Sequence, residues 1–225
     1  MSQSFSLVDR LAVGDLQTYL SRAGRVEDGS VRLIAGSGVL AAYTAILYPR
    51  GLLDESPTVL GLRTFALADA AAFDAVVPSR SLLDRLARVE SQPQSDVGVV
   101  VVSLPHEVST VTWAGISPPR GGWHAQGSTD AATLESAARN GIEEIAASIP
   151  TGTGEQLVQR VRSEVWGRPV EGLDYVPAGA AFAAFSLGFL AADDVVSLFE
   201  TGPWTRLTTR RGHVLVRRKP WTLRA

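Results

Sequence analysis

Two spacings of apolar residues organise this chain. Leu16, Tyr19, Leu20 and Ala23 fall at i, i+3, i+4 and i+7, which predicts a short amphipathic helix over Asp15 to Ala23 with Gly24 as its stop. Val31 to Ala35 and Val39 to Tyr48 read as strands flanking Gly36-Ser37-Gly38. Glycine supplies the positive φ a tight turn needs, so the pair reads as a hairpin. Thr58 to Leu67, entered through Pro57, is a third strand. Ser79 is placed to cap a helix carrying Leu82, Leu83, Leu86 and Val89.

The second half continues the pattern. Val97 to Leu104 is an unbroken apolar run, expected as a buried strand, and Val111 to Ile116 is expected as another. Leu134, Ala138, Ile142 and Ile145 share one face of a helix over about Thr129 to Ala147. Thr153 and Gln156 fit a capping box for a helix bearing Val158, Val161 and Val165, stopped by Gly167 and Pro169. Pro177 opens a helix that is apolar all round and therefore central. Trp204 to Thr209 against His213 to Arg217 closes the chain as a hairpin turning at Arg211-Gly212. Glycine-turned strand pairs followed by runs of helices predict an α+β fold. We expect a mixed or antiparallel sheet, four to five helices and the C-terminal β-hairpin. The chain is long enough for one compact domain over 1–225, or for two lobes meeting near 91–96, where Ser91-Gln92-Pro93-Gln94-Ser95-Asp96 reads as a linker.

Composition narrows the chemistry. Cysteine is absent, which removes disulfides, thiolate metal sites and thiol nucleophiles. Lys219 is the only lysine, and no phosphate-loop GK[ST] motif occurs. The arginine and alanine bias suggests a GC-rich bacterial genome. The N-terminus lacks a basic segment followed by an apolar run, and Pro177 to Ala192 is too short to span a membrane, so a cytoplasmic location is expected.

Charge is unevenly placed. The net charge is −2, yet seven of the 21 basic residues and none of the 23 acidic ones follow Glu200. An acidic body with a basic tail points either to a polyanionic or acidic partner or to a tail docked on its own body. The tail bases are Arg206, Arg210, Arg211, Arg217, Arg218, Lys219 and Arg224.

Several motifs were weighed for catalysis. Gly36-Ser37-Gly38-Val39-Leu40-Ala41 outlines a dinucleotide fingerprint, but the fingerprint needs a helix next, and Val39 to Tyr48 reads as strand. Ala184-Phe185-Ser186-Leu187-Gly188, followed by Asp193, Asp194 and His213, has the order of an α/β-hydrolase triad. Its serine stands on an apparent helix, where a nucleophile elbow needs a preceding strand. The three histidines, His106, His124 and His213, show no metal-ligand spacing. No metal and no cofactor are expected, and catalysis is disfavoured.

Binding is the reading left. In Pro118-Pro119-Arg120-Gly121-Gly122-Trp123-His124, prolines stiffen a loop that carries residue types favoured at interfaces. Trp113, Arg120, Trp123 and His124 are the candidate partner-binding residues, and the basic tail is the second candidate surface. The expected partner is another protein. The alternatives are weak nucleic-acid association through the basic hairpin, with tryptophans beside arginines, and a small-molecule hydrolase using Ser186 and His213.

Overall fold

A computed structural model describes residues 3–51, 54, 56–91, 98–109, 111–150 and 152–217. The chain divides into two compact units. The first comprises Met1–Ala45 and Leu62–Ile116, the second Ile46–Gly61 and Ser117–Ala225. The linker expected at 91–96 lies, apart from Ser91, outside the described residues. The fold is α+β with five α-helices among the described residues, and every pairing given below is antiparallel, in agreement with the expected class.

In the first unit, β1 (Ser4–Leu7) leads into helix α1 (Arg10–Val26). Asp9 caps α1 by accepting the Ala12 N–H at 2.8 Å, so the helix starts earlier than the apolar spacing indicated. It also runs through Gly24, which costs helix propensity without ending the helix. Tyr19 fixes α1 to the sheet, its hydroxyl lying 2.8 Å from Thr44 Oγ1.

Strands β2 (Ser30–Gly36) and β3 (Val39–Leu47) form the expected hairpin. Ser37 and Gly38, with φ of 52° and 75°, make the two-residue turn, while Gly36 stays in the ladder opposite Val39. The glycine fingerprint is therefore a hairpin. Strand β4 (Thr58–Ala66) is next to β3, and β5 (Phe73–Pro78) pairs with β2. Helix α2 (Ser79–Glu90) packs against α1. Ser79 is its first residue, not its cap; no side chain caps this helix, and the Ser79 N–H goes to Gly29 O.

Two expected strands differ. β6 (Val100–Ser103) pairs with β1, and only alternate residues are buried; Val99 and Val101 are more than half exposed. This apolar run covers one face only, so continuity of hydrophobicity overstated its burial. Val111 to Ile116 forms a 3-10 turn, Thr112–Gly115, and not a strand. Arg32 holds that turn through Ala114 O at 2.7 Å while gripping Asp74 with two further nitrogens.

The second unit orders its strands β4, β12 (His213–Arg217), β11 (Trp204–Thr208), β10 (Val195–Thr201) and β7 (His124–Asp130). Helix α3 (Ala131–Ser148) is capped by Asp130, whose Oδ1 accepts from Thr133 N–H at 2.6 Å. Helix α4 (Glu155–Gly167) begins after Gly154 without a side-chain cap; the Thr153 hydroxyl bonds Pro150 O instead of closing a capping box. β8 (Pro169–Val170) and β9 (Leu173–Pro177) form a small ribbon before α5 (Ala178–Ser186).

Small residues let α5 lie deep in this unit. Gly179, Ala180, Ala181, Ala183 and Ala184 are buried, and a Cβ on Gly179 would meet Leu47 Cδ1 at 2.6 Å. The sheet gives this core Leu198, Leu207 and Val214, which stand opposite one another in register. In β12, Val214, Leu215 and Val216 are all at most 2% exposed, so both faces of the terminal strand are covered.

Candidate partner-binding face

Strand alternation builds the candidate site. Leu198 and Leu207 face the core, so Phe199 and Arg206, the next residues and also opposite each other in register, face the other way. Gly202 (φ 52°) and Pro203 make the two-residue turn that sets this register. On the far side of β10, β7 carries an extra residue between Leu198 and Phe199, a bulge accommodated by Gly127 at φ 127°. Trp123 stands just before β7, after Gly122 with φ 74°.

Trp123, Phe199 and Arg206 meet on this face. The Arg206 guanidinium lies 4.5 Å from the ring centre of Trp123 and 4.5 Å from that of Phe199. All three side chains are half-buried. Trp123 is held by its Nε1–H, which donates to Pro119 O at 3.1 Å. The Nε of Arg206 is buried and has no hydrogen-bond partner. Burial lowers the Arg206 pKa, and among the described residues no carboxylate offsets it. A desolvated cation held by rings alone is incompletely satisfied.

His213 lies on the same face, two residues along β12 from Leu215, which stands opposite Arg206. Its Nδ1 is 3.0 Å from Thr208 Oγ1. Burial, and then the charge of Arg206, push its pKa below the usual histidine range, so the ring is neutral at neutral pH.

The structure separates the other candidates. Trp113 is buried in the first unit. Arg120 and His124 are exposed in the second, and the cation on Trp123 is Arg206 instead of Arg120. Arg210 Nε lies 3.6 Å from the buried Asp194 carboxylate, and Arg211 donates to Gly188 O at 3.3 Å. Arg217 is exposed; Arg218, Lys219 and Arg224 lie outside the described residues. The hairpin bases are thus partly engaged by their own unit. Phe199 was not singled out from sequence, although its place on an alternating strand before a Gly-Pro turn is a usable signal.

The hydrolase arrangement does not assemble. A helix precedes Ser186, His213 Nδ1 faces the Thr208 hydroxyl, and Asp194 faces Arg210. Among the described residues no group of three or more histidine and acidic side chains could hold a metal ion, and no helix is long and apolar enough to cross a membrane. A broad groove of about 1410 Å³ in the second unit is lined by α4, the Arg50–Pro57 loop and the end of β12. Its charges are mixed: Arg160 and Arg217 line it together with Glu155 and Asp174. In its wall, burial raises the pKa of Asp54, but N–H groups of Arg50 and Ser56 outweigh it and hold the carboxyl below the usual range.

The fold has known counterparts. Residues 1–107 match a family described as a domain of unknown function (DUF8010), and residues 118–221 match a second, also described as a domain of unknown function (DUF8185). No curated protein matches the chain. Among solved structures, DNA polymerase III beta from Caulobacter crescentus is similar at a TM-score of 0.53 and 12% identity, over 98% of this chain and 67% of that one. The sliding clamp from Bartonella birtlesii, solved bound to griselimycin, is similar at 0.52 and 14% identity, over 98% of this chain and 66% of that one. The fold thus resembles that of DNA polymerase sliding clamps, and the chain spans about two thirds of their length.

Proposed function

We propose that this chain is a non-catalytic binding protein of the cytoplasm, which uses a clamp-like fold to dock a protein partner on the face bearing Trp123, Phe199 and Arg206. The observation that carries this reading is the half-exposed stack of one arginine on two aromatic rings. Tryptophan and arginine dominate binding energy at protein interfaces. Here Arg206 sits on a paired strand and Trp123 is tied to Pro119 O just before one, so docking requires little ordering of the site. Arg120 and His124, exposed beside Trp123, are the proposed rim of the contact. The clamp relationship supports a binding role over a catalytic one.

Affinity capture from the native cell tests this with the full chain, Trp123→Ala and Arg120→Ala. A partner retained by the full chain and lost with Trp123→Ala, at a melting temperature that shows a folded variant, supports the reading. Capture unchanged by Trp123→Ala refutes it.

A second reading, association with DNA, is favoured by the names of the structural neighbours, which are DNA polymerase sliding clamps. The engagement of Arg210 and Arg211 within the unit weakens any phosphate-binding stripe. Binding through the hairpin should therefore be weak, non-specific and steeply dependent on salt. Titration of single- and double-stranded oligonucleotides at low salt tests it. Absence of binding, or binding that survives alanine at Arg210, Arg211, Arg217 and Arg218, sinks this reading.

A further inference from the structure

We propose that Arg206 is a receptor for a single carboxylate, carried by a partner peptide in which the acid stands beside an aromatic or aliphatic residue. The inference rests on the partner-docking reading of this face and specifies its ligand.

Three observations lead to it. First, the guanidinium lies 4.5 Å from the centres of both rings, so each ring offers it a cation–π contact and no hydrogen-bond acceptor. A guanidinium can still form paired N–H···O bonds with a carboxylate. Second, Arg206 is short of partners: its Nε is buried without a hydrogen bond, and among the described residues no acidic side chain balances its charge. An ion pair would have supplied both, as Asp74 does for Arg32. Third, the surroundings are apolar or neutral. Trp123 and Phe199 flank the charge, Leu215 stands opposite it, and His213 is uncharged at neutral pH.

These features select one acid over a polyanion. Arg210 and Arg211, the next bases along the hairpin, are exposed and each makes one contact within the unit, at 3.6 Å to Asp194 and 3.3 Å to Gly188 O. The half-exposed rings offer contact area to an apolar neighbour of the acid, which a sugar-phosphate backbone lacks. Aspartate or glutamate side chains and a free C-terminal carboxylate share the chemistry.

The test is a peptide array probed with the intact chain. One set carries an internal acidic residue beside an aromatic one. A second replaces the acid by its amide. A third has a free carboxylate only at the C-terminus, and a fourth carries phosphoserine. A single-stranded oligonucleotide is the fifth probe. The first or third set should bind, identifying the carboxylate source, and the amide set should bind roughly tenfold more weakly or worse. Arg206→Lys keeps the charge but loses the planar fork, and should weaken binding by a similar factor at an unchanged melting temperature. Equal binding of acid and amide peptides, still lost in Trp123→Ala, overturns the carboxylate and leaves the docking face standing. Preference for phosphoserine or the oligonucleotide also overturns the carboxylate. Binding indifferent to both variants, or no binding by any set, overturns the carboxylate and removes its support from the face.

Discussion

Replacing Gly141 by alanine sets two opposed effects against each other inside helix α3. Alanine favours a helix over glycine by about 1 kcal/mol. A Cβ at Gly141, however, would lie 2.3 Å from Trp166 Cζ3 and 2.7 Å from Cη2. Carbon atoms rest about 3.5–4.0 Å apart, so the indole would have to retreat by roughly 1 Å or more. It has little room to do so. Trp166 is 2% exposed and stacks on Phe182 with ring centres 4.4 Å apart. Overpacking of this kind costs about 1–3 kcal/mol. With so little room for the indole to move the steric term should win, leaving Gly141→Ala less stable by up to about 2 kcal/mol, a fall in Tm of up to roughly 8 °C for a chain of this size. Gly14 in α1 is the control. Nothing lies within 4 Å of its Cβ position, so Gly14→Ala should be stabilising by about 0.5–1 kcal/mol. Thermal melts of both variants beside the parent chain measure the two signs. A Gly141→Ala protein as stable as Gly14→Ala would refute the close approach of α3 to Trp166.

Three further outcomes follow from packing and charge. Trp166→Ala should cost about 3–5 kcal/mol in urea unfolding, whereas Trp123→Ala, half-exposed on the surface, should cost about 1–2 kcal/mol; equal losses would place Trp123 in the core. Truncation after Glu200 removes β11 and β12 with the buried Trp204, Leu207, Val214 and Val216, so the truncated chain should lose cooperative unfolding by circular dichroism, and an unchanged Tm would contradict a docked hairpin. Because the folded chain holds the His213 pKa below its ordinary value, the unfolded chain takes up a proton that the folded one resists. The stability this gives above about pH 6.5 is lost as pH falls. His213→Gln should flatten the dependence of Tm on pH between about 5 and 7.5, and an unaltered slope would rule out this histidine as its source.

The features legible in the sequence were those with local causes. The β2–β3 turn follows from adjacent glycine and serine, the start of α5 from Pro177, and the terminal hairpin from alternating residues around Arg211-Gly212. Strand β7 carried no such signal. His124 to Asp130 is almost wholly exposed and contains no large apolar residue; pairing with β10 makes it a strand. The boundaries of α1 were misplaced because Asp9, three residues before Ala12, outweighs the periodicity that begins at Leu16. Val97 to Leu104 misled in the other direction, since valines on a two-stranded edge need not be covered. Gly141 within a helical run was a visible anomaly, but its reason, Trp166, lies on another helix.

The candidate site was legible in parts. Trp123 stood out through its stiff loop, and Arg206 as one base of the tail. Their meeting required β7, β10 and β11 to lie side by side, and Phe199 became relevant only through that register. The tail is not one basic surface: Arg206 is half-buried against two rings, whereas Arg210 and Arg211 are exposed and reach Asp194 and Gly188 O.

Photocrosslinking in the native cell tests the docking face most directly. A photoreactive residue at Thr201, on β10 next to the face, is placed within reach of whatever sits on Trp123 and Arg206. The account predicts a discrete protein adduct that disappears with Trp123→Ala and weakens with Arg206→Lys, while both variants remain folded. An adduct indifferent to both substitutions, or a nucleic-acid adduct in place of a protein one, would contradict it.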